Sequence, residues 1–430
     1  MKRTLIKNGR ILDPKNSIDK ICDLYIEGKN ISQIGENLNF SADQIIEAKD
    51  LIVTPGLVDM HVHLREPGFE YKETIETGTR SAVAGGFTTV ACMPNTKPTI
   101  DSPDLVNFIH LQAKEQGSTN VLPIGAITKD LEGKLISDWK SLIEAGAVAL
   151  SDDGKTVMDS SIMWNVMALS AEMGFPVIDH CEEHNLTKGT VMNLGKISLE
   201  LGFPGQSNAA EEIIIARDLL LAEQTGGHIH IAHVSTEGGV ALIRWAKQRE
   251  IRVTAESCPH HFTITDAEVA NHGAKAKVHP PLRTQKDVEA IIYGLSEGTI
   301  DAIATDHAPH AAFEKDRGIH EAPAGIIGLE TSVPLVLTKL VDTGKLELND
   351  AIAKMTHIPS EILGIDRGTL SVNTAADVTL IDPKKLQIVD SAKFESKSRN
   401  TPFDGWELKG WPVMTMREGE IMMSKIESNK

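Results

Sequence analysis

Eight short apolar runs, each followed by a longer stretch, fill the middle of this chain and restrict its fold more than any other feature. They read GLVDMHV (56–62), GFTTVACM (86–93), NVLPIGAIT (120–128), AVALSD (147–152), PVIDHC (176–181), HIHIAHV (228–234), IRVTAESC (251–258) and IDAIATD (300–306). Short, nearly continuous apolar runs are the pattern of strands covered on both faces, and helical stretches between them are the crossovers that parallel strands require. Two of those stretches, AAEEIIIARDLLLAEQTG and DWKSLIEAG, each finish on the glycine expected just past a helix C-terminus. Eight such units over roughly 300 residues fit an α/β fold of the (β/α)8 barrel type better than an open sheet.

The ends of the chain have a different texture. TLIKNGRIL, DLYIEGKNISQIG and QIIEA alternate polar and apolar residues between Gly and Asn turns, and AADVTLIDP and PVMTMREGEIMM repeat that pattern near the C-terminus. Both ends are expected to combine into one small β-sandwich domain, residues 1–54 with 366–430, around a barrel at 55–365.

In a barrel of this kind, reactive groups gather at the C-terminal ends of the strands. Here those ends carry His61 and His63, Asn95, Asp153, His180, His233, His260 with His261, and Asp306 with His307. An isolated buried histidine is more often a hydrogen-bonded core residue than a ligand. Recurrence changes this balance: four imidazoles and two carboxylates meeting at one mouth suit zinc or a similar divalent ion. His61 and His63 lie two apart in DMHVHLREPG, so on a strand they leave the backbone on the same side, with Val62 opposed. The set is too large for one tetrahedral ion with an open position, and two metals sharing a bridging carboxylate would use all of it. Such a pair would bind a bridging water and lower its pKa towards neutrality.

Two positions stay open on this reading. Asp152 and Asp153 are neighbours, and only one can face the mouth. In HIHIAHV, alternation pairs His228 with His230 and leaves His233 on the other parity, unless a bulge or the strand's end resets it.

The net charge of −17 disfavours nucleic acid and anionic membranes as partners, so an anionic substrate would need a local cation. Arg65, directly after the histidine pair, can grip a carboxylate through two parallel hydrogen bonds, the alternative being an ion pair with Glu66 or Glu70. No run approaches the ~20 apolar residues of a membrane helix. MKRTLIKNGRILDP turns polar before any signal-peptide core forms, which predicts a cytoplasmic protein. Four cysteines, Cys22, Cys92, Cys181 and Cys258, are too widely spaced for a disulfide framework or zinc ribbon and read as small buried residues.

Taken in order, HVHLREPG, MPNT, SDDG, HCE, AHVS, CPHH, PPLR and ATDHAPH, together with ETGTRSAVAGGFTTV and NTPFDGW, resemble the bacterial dihydroorotases of the amidohydrolase superfamily over essentially the whole chain. The resemblance implies reversible cyclisation of N-carbamoyl-L-aspartate to L-dihydroorotate in pyrimidine biosynthesis. It also implies two zinc ions per subunit, bridged by Asp153 and a hydroxide. His61, His63 and Asp306 would hold the first and His180 and His233 the second, with Asp306 also the general acid and base. Substrate contacts would come from His63, Leu64, Arg65, Asn95, His279, His310, and backbone groups at Ala324 and Gly325. A homodimer and an association with aspartate transcarbamoylase are compatible with the family.

The resemblance selects Asp153 over Asp152 and His233 over its neighbours, and it leaves His260 and His261 as hydrogen-bonding support for the ligands. One departure is His279 in KVHPPLR, where the family usually has Asn; an imidazole cannot present a carboxamide's paired donor and acceptor to a pyrimidine ring. His310 lies in HAPHAAFEKDRG, a polar stretch too irregular for a core and a candidate lid. The competing functions are another cyclic amidase, such as a dihydropyrimidinase, hydantoinase or allantoinase, and a catalytically silent scaffold. Such amidases bridge their metals with a carboxylated lysine near the fourth strand, where this chain offers only Lys155. A silent homologue should have lost ligands, and all six ligand positions are kept.

Overall fold

The computed structural model describes residues 2–426. Each of the eight apolar runs contains strand residues: Leu57–Val62, Phe87–Cys92, Asn120–Pro123 continuing into Gly125–Ala126, Leu150–Ser151, Pro176–Asp179, His228–Ile231, Val253–Ser257 and Ala302–Ile303. Every neighbouring pair in that order is parallel. The third run is divided: its first half pairs with the second strand and its second half with the fourth, while the Ile124 amide donates to Cys92 across the break. The first and last strands are joined by a parallel bridge between Val62 and His307 and by the His63 amide donating to the His307 carbonyl.

Helices alternate with these strands. Ala209–Thr225 ends on Gly226 at φ 72°, the left-handed cap the sequence predicts. Trp139–Glu144 starts with the Asp138 side chain accepting from the Ser141 amide, but it stops at Ala145, one residue before the glycine taken as its cap. One apolar cluster draws a residue from, or beside, seven of the eight strands: Met60, Ala91, Ile124, Ala149, Ile178, Ala232 and Ala302.

The two ends of the chain meet in one sheet. Its order runs Glu420–Ser424, Glu407–Arg417, Val378–Ile388, Ile52–Pro55, Arg3–Asp13, Ile18–Glu27, Asn30–Gly35, with Gln44–Glu47 beside Arg3–Asp13. The seam between the arms is the antiparallel pairing of Val378–Ile381 with Ile52–Pro55. Ile6, Ile11, Leu24, Ile31, Val53, Leu380 and Met416 form its own buried cluster. All four cysteines are free and buried. Among the described residues, no helix is long and apolar enough to cross a membrane.

Candidate metal centre and its pocket

The strand ends converge. His61 Nδ1 lies 2.6 Å from Glu256 Oε1, and its Nε2 faces Asp153 Oδ1 at 3.5 Å and Asp306 Oδ1 at 3.6 Å. His63 Nε2 is 3.0 Å from Asp306 Oδ1, while its Nδ1 meets Asn95 Oδ1 at 2.9 Å. The two rings therefore point together, as their spacing predicts. His233 Nε2 is 3.3 Å from Asp153 Oδ1 and 2.9 Å from His180 Nδ1. Donor atoms of His61, His63 and Asp306 form one group close enough to hold an ion, and those of His61, Asp153 and His233 form another. His180 lies outside both triads and joins through His233 and, at 3.6 Å, Asp153.

Backbone conformation explains how His233 reaches this cluster. Regular strand ends at Ile231, and His233 takes φ 33°, which resets the alternation that had paired His228 with His230. Those two instead turn to the Thr254 hydroxyl, at 2.8 Å each. Asp306 and Arg65 also sit at positive φ, 45° and 64°. Non-glycine residues held in that region cost energy and concentrate at functional sites. Asp152 turns away, accepting from the Thr128 amide at 2.9 Å and from its hydroxyl, so Asp153 alone of the two faces the cluster.

The charges around the cluster call for a cation. His61 Nδ1 donates to Glu256, and its buried Nε2, without a hydrogen-bond partner among the described residues, is aimed at two carboxylates. Burial opposes charge on His61, yet Asp153 and Glu256 raise its pKa well above the usual value. Burial likewise works to raise Asp306, but the hydrogen bond from His63 and the fields of the histidines bring it down to about 2. Imidazole nitrogens and carboxylate oxygens gathered around an unpartnered nitrogen fit a divalent ion of the zinc type.

A cavity of about 350 Å³ opens beside the cluster. Asp153, His180, His233 and Asp306 line it, with His63, Arg65, Asn95, His279, His310, Ala324 and Gly325. Leu64 corrects the sequence-based set: its side chain packs in the apolar core, and its carbonyl accepts from the Glu66 amide. Among the described residues Arg65 is in no ion pair; its Nε donates to the Pro309 carbonyl at 3.1 Å. Burial brings its guanidinium down to about 10, leaving it charged at neutral pH. His310 donates from Nε2 to the Ala324 carbonyl at 2.8 Å, and burial, then Arg65 and Lys72, keep it neutral. His279 Nδ1 lies 3.2 Å from Glu182 Oε2, which also meets His180 Nε2 at 3.3 Å.

In the stretch around His310, the side chains of His310, Glu314 and Lys315 are buried, while Ala312, Phe313, Asp316, Arg317 and Gly318 are exposed. His260 and His261 do not supply the expected support: His261 Nε2 bonds the Pro280 carbonyl, and His260 Nε2 has no partner. Glu256, Asn95 and Glu182 bond the ligand histidines instead. Glu256 escaped the sequence reading, although a lone acid inside the apolar run IRVTAESC is the signal that would have found it.

Parallel strands whose C-terminal ends gather buried histidines and aspartates able to hold metal place the chain among the metal-centred hydrolases of mixed α/β fold. An L-hydantoinase (dihydropyrimidinase) from Arthrobacter aurescens superposes with a TM-score of 0.90 at 26% identity, covering 99% of this chain and 97% of that one. A family model described as dihydro-orotase-like matches residues 50–238. The dihydroorotase of Acetivibrio thermocellus is 49% identical across 97% of this chain and 98% of its own length, and that of Citrifermentans bemidjiense 50% identical across 97% and 99%. The chain belongs to the dihydroorotase family.

Proposed function

We propose that this protein is a dihydroorotase that interconverts L-dihydroorotate and N-carbamoyl-L-aspartate at the cavity beside Asp306. The observation that carries the reading is one cavity lined both by buried carboxylates and imidazoles and by a charged Arg65 that, among the described residues, is in no ion pair. Support for a closed (β/α)8 barrel at 55–365 comes from the Val62–His307 bridge and the cluster shared by seven strands. The terminal sheet supports a β-sandwich domain at 1–54 with 366–430.

In this reading His61, His63, Asp153, His180, His233 and Asp306 would hold zinc. When bound, the ions supply Lewis acidity that polarises the ring carbonyl and activates a water near neutral pH. Asp306 accepts a proton as that water bonds to the carbonyl carbon, and delivers it to the ring nitrogen as the C–N bond breaks. In the cyclising direction it takes the proton from the ureido nitrogen as that nitrogen bonds to the side-chain carboxyl carbon, and returns it to the departing carboxyl oxygen, so that the C–O bond breaks and water leaves. Arg65 grips the substrate's free carboxylate, with Asn95 and neutral His310 beside it. The ring faces His279, Ala324 and Gly325.

The rival cyclic-amidase reading needs a bridging lysine, whereas Lys155 is exposed and lies outside the cavity lining. The test is steady-state turnover of dihydroorotate, hydantoin, dihydrouracil and allantoin by the zinc-analysed protein, beside Asp306→Asn. Preferential turnover of dihydroorotate that falls about 10²–10⁴-fold in the variant is expected. Preference for another ring would overturn the substrate assignment, and full activity in Asp306→Asn would overturn the role of that carboxylate.

A further inference from the structure

Two buried lysines stand beside the pocket without a counter-charge. Lys277 and Lys315 are 7% and 6% exposed, and among the described residues neither has a carboxylate within ion-pair distance. Their amines spend their hydrogen bonds on one short segment. Lys277 Nζ donates to the carbonyls of Ile319 at 2.7 Å and Ala322 at 2.8 Å. Lys315 Nζ donates to those of Pro323 at 2.9 Å and Gly325 at 3.0 Å. Burying an amine this way is costly, and burial pulls both below their ordinary values, Lys315 to about 7. An apolar residue of similar length would fill the same space without that cost.

What the four bonds accomplish is the orientation of the pocket wall. Ala322, Pro323, Ala324 and Gly325 all line the cavity. The carbonyls of Pro323 and Gly325 are turned to Lys315, whereas that of Ala324 is turned the other way, to His310 Nε2. The Gly325 amide follows its own carbonyl away from His310, donating to the Lys277 carbonyl at 2.9 Å. Across a trans peptide the N–H points opposite to the preceding carbonyl, so with the Pro323 carbonyl turned to Lys315 the Ala324 N–H faces away from Lys315, on the side of its own carbonyl. Among the described residues it has no protein acceptor. Gly325, at φ 132°, has no room for a side chain: a Cβ there would lie 3.0 Å from His310 Nε2 and 2.7 Å from the Ala308 Cβ.

We propose that Lys277 and Lys315 are positioning residues that staple the 319–325 segment and hold the Ala324 N–H toward the cavity as a donor to the substrate. The inference rests on the reading of this cavity as the substrate site. Because each amine has two carbonyl acceptors, it holds the segment either as an ammonium or as a neutral amine. The staple therefore governs how tightly substrate is held and leaves the proton transfers of Asp306 alone.

The test compares the full-length, metal-saturated protein with Lys277→Met, Lys315→Met and the double variant, measuring kcat, KM and zinc content. KM for dihydroorotate should rise about tenfold in the double variant, the effect of one lost hydrogen bond to a charged group, with kcat and zinc within about threefold. Amide hydrogen exchange without ligand should quicken in 319–325 relative to the rest of the chain. Unchanged KM, or a fall in kcat in step with zinc loss, would overturn the staple. Should the methionine variants fail to fold, Lys315→Gln, which keeps a two-hydrogen donor, and ligand-dependent exchange in the unmutated protein decide the matter. Slowed exchange at the Ala324 amide with added N-carbamoyl-L-aspartate supports the donor role, and no slowing overturns it. If no ring is turned over, the functional reading has failed, and the ligand-free exchange comparison still tests the staple.

Discussion

His61 holds Nε2 toward two carboxylates while Glu256, 195 residues later, accepts a hydrogen bond from its other nitrogen. A carboxylate in that position fixes the tautomer and strengthens the imidazole as a ligand. Glu256→Gln keeps the shape and the acceptor oxygen but removes the charge. Zinc affinity should fall about 10–100-fold, measured by competition with a chelator, and activity should return at excess zinc. Unaltered affinity would mean that Glu256 only fills space. His61, His63, His180 and Asp306 were legible as candidates because ligand types recur at strand ends, whereas only the family resemblance selects Asp153 and His233. The pairings that orient the histidines were not legible: Asn95 reads only as a substrate contact, and Glu182 and Glu256 meet His180 and His61 only once folding brings them together.

At the scale of elements, periodicity located all eight strands yet overstated their lengths. AVALSD and IDAIATD pair only at Leu150–Ser151 and Ala302–Ile303, because an apolar run records burial, and burial extends beyond the hydrogen-bonded ladder. The terminal arms are held by sheet pairing and by one buried carboxylate: Asp13 Oδ2 accepts from the Leu370 amide at 2.8 Å and from Asn16 Nδ2 at 2.6 Å. Asp13→Ala leaves the Leu370 amide unmet, while Asn16 Nδ2 keeps Thr369 and Ser371, and should lower unfolding free energy by about 1–3 kcal/mol in denaturant titration. Asp13 lies outside the cavity lining, so KM at low temperature should be unchanged. A loss of zinc in this variant would show that the terminal sheet supports the metal centre directly.

Across the whole molecule, Glu330 ties the helix Ile75–Ala84 to the C-terminal arm, accepting from Ser81 Oγ at 3.0 Å and the Glu395 amide at 2.8 Å. Burial raises its pKa from 4.5 to about 7. The folded state therefore binds this proton more readily than the unfolded chain between those values, and the contribution to stability falls as pH rises through that window, by no more than roughly 3 kcal/mol, then levels off. Glu330→Gln, neutral at every pH, should flatten that part of the stability–pH profile, and an unchanged slope would assign it to other groups. The chain as a whole carries −17, yet the pocket wall holds Arg65 and Lys277, so local placement overrides the global field. The sequence by itself determined the parallel α/β core, the meeting of both termini, and the kinds of residue at the strand ends, because hydrophobic periodicity and ligand chemistry are written locally. Only the tertiary structure decided that His233 leaves its strand's parity through a left-handed turn, that Glu256 orients His61, and that Lys277 and Lys315 serve one pocket wall. Those outcomes depend on contacts between distant segments and on backbone conformations that packing imposes, and neither has a period that a sequence can display.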